Sequence, residues 1–239
     1  MDIQYPDLHP FYKDIFDKAV SDSHTAKEIE FICGFFEEWV GNFLHPVGDD
    51  LFHSKKLDSI VLYCYLASQS FTFDWMAHSL LLGHYETVLR ELRSILENAF
   101  LMFYLDCHYD SKTILEKFTM VEQMENENRI PYGKRVFKDS EYPDWEYCYK
   151  LYGEMSKYVH ASTKTNGLSI LKIATKGFPE TLDIQYSQDS FLKCVEMWQR
   201  VSIIVLSLVK SLFEKANIEV KQFNPGYLAS VWKISTDLP

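Results

Sequence analysis

Residues 188–216 read QDSFLKCVEMWQRVSIIVLSLVKSLFEKA, and this stretch decides the class of fold. Ser187 or Asp189 supplies an N-cap, and neither Gly nor Pro interrupts the run after it. Wound as a helix, it is apolar on most sides, so other helices have to enclose it. Its most apolar part, Val201 to Val209, is nine residues held between Arg200 and Lys210. A bilayer span needs about 20. The stretch reads as a core helix.

Outward from this element, the same periodicity recurs. Pro10 opens a short helix to about Val20. Ser23 caps a second, with Ile29, Ile32, Phe36, Trp39, Val40 and Phe43 on one face, ended by His45-Pro46-Val47-Gly48. Further helices are expected over 54–82, 84–107, 111–128 and 142–161. Segment 131–140 takes no assignment from its pattern. Leu168, Ile170, Leu182 and Ile184 around Lys176-Gly177-Phe178-Pro179 suggest a small β-hairpin or ordered loop near 168–186. The expected fold is all-α: a single helical bundle of about seven helices. It divides into N-terminal helices over 1–50, a core bundle over 54–216 and an irregular tail over 217–239.

Composition agrees with that class. Hydrophobic residues make up 47% of the 239, enough for a sizeable core, and only 9 Gly and 8 Pro punctuate long elements. The net charge of −10, from 34 acidic and 24 basic side chains, opposes binding to long duplex nucleic acid, which needs clustered cations. Five scattered cysteines with no C-x-x-C pair suit reduced thiols, and Met1 to Pro6 lacks the pattern of a secretory signal. A cytoplasmic protein away from membranes is expected.

One polar constellation stands out. Within 84–107, Glu86, Arg90, Arg93, Glu97 and Tyr104 lie at offsets 0, 4, 7, 11 and 18. At about 100° per residue they share a stripe roughly 60° wide. That stripe borders the apolar face of Val88, Leu89, Leu92, Ile95, Leu96, Ala99, Phe100 and Phe103. Glu86 with Arg90, and Arg93 with Glu97, are spaced for ion pairs along one helix, each worth about 0.2–0.5 kcal/mol when exposed. An Arg oriented by a partly buried Glu is also suited to grip a phosphate or carboxylate. The second half is Tyr149, Tyr152, Gly153, Ser156, Tyr158 and His160. Tyr152, Ser156 and His160 recur at intervals of four, and a His near a helix C-terminus is favoured in its protonated form.

These residues carry a resemblance. Arg93-Ser94-Ile95-Leu96-Glu97 with Tyr104, then Trp145 and Tyr152-x-x-x-Ser156-x-Tyr158-x-His160, resemble an uncharacterised family of all-helical prokaryotic proteins, a domain of unknown function. Such proteins pair an Arg-Ser-x-x-Glu helix with a Tyr-x-x-x-Ser-x-x-x-His helix. The resemblance spans roughly 55–215 and implies a fold and a residue set, but no reaction. A more distant similarity is to HEPN-type nucleotide-binding and RNA-cleaving domains, whose signature places Arg four to six residues before His on one helix. Here the nearest basic residue before His160 is Lys157, so Arg93 would have to meet His160 across two helices.

Other chemistries find less support. His45, Asp49, Asp50 and His53, and the run Asp106-Cys107-His108-Tyr109-Asp110, lack the spacing of a helical metal site and read as solvated loops. Ser156 and His160 have no G-x-S-x-G elbow, no phosphate-binding glycine loop occurs, and Phe31, Phe35, Phe36 and Trp39 read as packing. No metal or cofactor is expected.

The expectation is therefore an interhelical pocket for a phosphate-bearing ligand, a nucleotide or RNA end. In it Arg93, Glu97, Ser156 and His160 stand as candidate catalytic groups, and Arg90, Tyr104, Tyr152 and Tyr158 as ligand-binding groups. The alternative is a non-enzymatic interaction or homodimerisation module, in which the same residues form a structural polar network.

Overall fold

The computed structural model describes residues 10–127, 131–159 and 186–218. Within them the chain is all-α, and no strand occurs among the described residues. In order, the helices are α1 (Pro10–Ser21), α2 (Ala26–Glu37), a π-helical stretch (Glu38–Leu44), α3 (His45–His53), α4 (Val61–Ser68), α5 (Ser70–Leu81), α6 (Tyr85–His108), α7 (Ile114–Asn126), α8 (Lys134–Asp139), α9 (Trp145–Val159) and α10 (Gln188–Lys215). The hairpin or loop expected near 168–186 lies outside the described residues, as does most of the 217–239 tail. No helix among the described residues is long and apolar enough to cross a membrane.

Helix α10 is buried as its composition requires: every residue from Ile204 to Val209 is shielded from solvent. The Ser187 side chain accepts from the Ser190 backbone N–H and caps it. The axis of the bundle is nevertheless α6, which packs against α4, α5, α8, α9 and α10. Its apolar stripe, from Val88 to Leu105, supplies the continuous core that those neighbours share. At the far side, Phe35 and Trp39, Phe73 of α5 and Trp198 of α10 meet with ring centroids 4.8–5.9 Å apart. The 31–39 aromatics thus join three helices.

Several boundaries differ from those expected of the sequence, among them the starts of α7 and α9 and the helix α8 within 131–140, and three have a local physical cause. First, α2 begins after Thr25, not Ser23, because the buried Thr25 hydroxyl donates to Ala19 O and Asp22 O at the end of α1. Second, His45-Pro46 does not end the helix. Pro46 has no N–H to give and its ring crowds the carbonyl four residues back. The π-helical stretch before it changes the hydrogen-bond register to i→i+5 and absorbs that misfit, so the chain runs on helically to His53. Gly48 then leaves room for Tyr63, whose hydroxyl donates to Leu44 O at 2.9 Å; a Cβ on Gly48 would sit 2.3 Å from it. Third, the expected 54–82 helix is two shorter ones, α4 and α5, meeting at Gln69 and beginning only at Val61.

Gly83 stops α5 at φ 79°. Helix α7 starts at Ile114 under a reciprocal capping box: the Thr113 hydroxyl accepts from Glu116 N–H, and Glu116 accepts from Thr113 N–H at 2.8 Å. Those Thr113 contacts hold the Glu116 carboxyl below its usual value of 4.5, with the backbone N–H the larger cause. A depressed carboxyl pKa contributes stability above the unfolded value, and that contribution is lost as pH falls through the folded value. Thr113→Ala is expected to lower unfolding free energy by about 1 kcal/mol in urea titrations. Glu116→Gln should flatten the acid-side decline of the wild-type melting temperature.

Candidate functional site

The polar row of α6 divides according to what packs against it. Glu86 and Arg90 are exposed, and Arg90 turns sideways, its Nε 3.5 Å from Glu91 Oε1, in place of the pairing expected with Glu86. Glu86 instead lines a cleft shared with Asp189 and Lys193 at the start of α10. Near the other end of the helix, the Tyr104 ring stacks on His108, 4.2 Å between centroids. Glu97 and Tyr104 are seven residues apart, about 10 Å along the axis. Arg90 and Tyr104 therefore do not join a common site.

Arg93 and Glu97 do meet α9, and the meeting is made by Tyr152. Arg93 Nη2 donates to the Tyr152 hydroxyl oxygen at 2.5 Å, and its guanidinium lies 4.6 Å from the centroid of the same ring. The Tyr152 O–H in turn donates to Glu97 Oε2 at 3.1 Å. The other carboxylate oxygen, Oε1, accepts from the Gly133 backbone N–H at 2.9 Å. One phenol thus stands between the Arg and the Glu that the spacing paired directly. Burial pushes the Tyr152 phenol up, opposed by the hydrogen bond from Arg93, so the hydroxyl stays protonated and keeps its donor for Glu97.

Gly133 makes this geometry available. It stands just before α8 at φ 57° and ψ −135°, a region that side-chain-bearing residues rarely adopt, and nothing would obstruct a Cβ there. The requirement is conformational. It aims the Gly133 N–H at Glu97, so α6, α8 and α9 close on one carboxylate.

Ser156 takes no part in this network. Its Oγ donates to Tyr152 O, 2.8 Å away and one turn back, which spends the hydroxyl on its own helix. His160 and the Tyr158 side chain lie outside the described residues. Among the candidates whose side chains are described, three converge: Arg93, Glu97 and Tyr152.

A second polar centre is not anticipated by spacing alone. Asp106 and Lys117 are 3% and 1% exposed, and Lys117 Nζ is 2.7 Å from Asp106 Oδ1. Asp106 Oδ1 also accepts from Val61 N–H at 3.0 Å, and Oδ2 from Leu62 N–H at 2.9 Å. The carboxylate thereby satisfies the first N–H groups of α4 and faces the positive end of its dipole. Lys117 Nζ donates as well to Ser59 O. Burial pushes the Asp106 carboxyl up; Lys117 and the two backbone N–H groups pull against it.

The run 106–110 is therefore not a solvated loop, since Asp106 belongs to α6 and is buried. The signal was present in two places. Asp106 continues Ala99 and Phe103 at helical spacing on the apolar stripe, and Lys117 sits in the row Ile114, Lys117, Val121, Met124. An acid on one apolar face and a base on another have to find each other, because neither can be buried alone.

Among the described residues, no three His, Cys, Asp or Glu side chains gather as a metal site. All five cysteines are unpaired. No family model, curated protein or solved structure matches this chain.

Lys117→Met leaves Asp106 buried without its counter-charge and is expected to cost about 3–5 kcal/mol in urea unfolding. The double variant Asp106→Asn with Lys117→Met should recover a substantial part of that loss. Strictly additive single losses would contradict the coupling.

Proposed function

We propose that this chain is a non-enzymatic helical interaction module, in which the Arg93–Tyr152–Glu97 row is a structural clasp. The Tyr152 hydroxyl carries this reading: it accepts from Arg93 while donating to Glu97, whose remaining oxygen is taken by Gly133. A ligand-binding Arg has to present free donors, and a general acid or base has to reach substrate. Here the Glu97 oxygens and the Tyr152 hydroxyl are engaged with one another or with backbone. Such a network fixes the register of α9 and α8 on α6.

The interaction face is α5, and the partner is a second copy of this chain. Phe71 and Trp75 lie one turn apart and are 81% and 59% exposed. Between Asp58 and Glu86 the sequence contains Asp74 as its sole carboxylate and no Lys or Arg. Copies each carrying −10 repel one another over most of their surfaces, and a nearly uncharged face is where they meet at least electrostatic cost. Exposed aromatics on that face supply the apolar area such a contact needs.

A specific observation favours the second reading, a site for a phosphate-bearing ligand. Arg93 Nε is buried with no hydrogen-bond partner. A bound phosphate would satisfy it, and Arg is suited to that role.

Arg93→Ala separates the two. The clasp reading expects a loss of about 1–3 kcal/mol in thermal unfolding, and any calorimetric binding of AMP or inorganic phosphate to the wild type is expected to persist in the variant. A wild type that binds either one, and an Arg93→Ala chain that melts normally but no longer binds, would sink it. For the α5 face, sedimentation equilibrium should give a dimer for the wild type and a monomer for Trp75→Asp with unchanged circular dichroism. A monomeric wild type rejects the self-association.

A further inference from the structure

At the end of the bundle where α6 and α10 finish and α4 begins, a cavity of about 330 Å³ opens above the Asp106–Lys117 pair. That volume is at the small end of the roughly 300–1,000 Å³ typical of ligand sites. It suits a molecule built on a single ring. Lys56, from the turn before α4, and Lys215, from the last turn of α10, also line it.

The charges do not cancel. Asp106 is committed to Lys117 and to the α4 backbone, so the pair is neutral as a unit. Lys56 and Lys215 then face the single remaining carboxylate, Asp110. Among the described residues, neither lysine belongs to an ion pair. Lys215 Nζ rests 3.5 Å from the Cys107 sulfur and 5.3 Å from the centroid of the Phe103 ring. Burial pushes the Cys107 thiol up, so that neighbour is neutral. Helix dipoles account for a lysine in the last turn of α10. They do not account for Lys56 and Lys117 opening on the same space.

Lys117 adds a donor from below. Two of its three N–H bonds go to Asp106 and to Ser59 O. The third has no acceptor among the described residues, and Lys117 lines the cavity. Ile60 and Leu212 form apolar wall. In a chain of net charge −10, the result is a small pocket with surplus positive charge and a hydrophobic side.

We propose that this cavity binds a small organic anion. Its acid group, carboxylate or phosphate monoester, lies between Lys56 and Lys215 over Lys117, and its apolar body rests against Ile60 and Leu212. This site is separate from the Arg93 clasp and from the α5 face.

The test is a titration of the full chain, monitored by amide chemical shifts, with phenyl phosphate, benzoate and benzyl alcohol. The two anions are expected to move the Asp106–Ser111 amides saturably, and the alcohol is not. Whichever anion binds more tightly identifies the acid group. Lys56→Gln and Lys215→Gln, both surface changes, should each weaken binding about tenfold, the factor for one charge-assisted hydrogen bond. Arg93→Lys should leave it unchanged. The proposal is overturned if neither anion shifts those amides at millimolar concentration, if both lysine variants bind like the wild type, or if binding is lost in Arg93→Lys instead.

Discussion

The burial of α6 along most of its length is the constraint on which the rest of this molecule depends. On a 24-residue helix with neighbours on several sides, each unmatched polar group is costly, because its loss of water has to be offset within the protein. Where α6 is open to solvent, at Glu86 and Arg90, side chains pair locally or line a shallow cleft. Where α9 crosses it, Arg93 and Glu97 are drawn onto Tyr152. Where α4 packs against it and α7 sends in Lys117, Asp106 is matched by that lysine and by two backbone N–H groups. Each polar contact is the local answer to the same requirement.

The two polar centres differ in depth, and that difference separates their roles. Asp106 and Lys117 are buried outright, which makes them costly to separate and ties α4, α6 and α7 into one unit. Tyr152 is buried while Arg93 and Glu97 are half-buried, so their hydrogen bonds gain from partial exclusion of water without the full penalty of burying charge. A phenol between the guanidinium and the carboxylate also keeps the contact directional. It orients α9 on α6 more narrowly than a mobile ion pair along one helix would.

Much of the helical scaffold could be read from periodicity alone. The 3.6-residue spacing in 84–107 and the unbroken run from 188 to 216 each produce one long helix at nearly the expected ends. The mismatches were at Pro46 and Gln69. Periodicity is blind to a π-helical stretch that absorbs a proline, and it cannot separate two short helices whose apolar faces continue in phase. Thr25 shows a third kind of miss, a cap chosen by contact with the end of α1.

The candidate site was legible only as a one-dimensional row. Spacing determined that Glu86, Arg90, Arg93, Glu97 and Tyr104 share one edge of α6, because helical geometry is local. It also put an acid at 106 and a base at 117 on apolar faces. Which members of the row have partners was decided by where α9 and the turn before α8 cross the helix, and Gly133 at positive φ sets that crossing. Asp106 and Lys117 became a pair for the same reason. Two charges on separate helices meet only where packing brings those helices together, and that is a property of the assembled bundle.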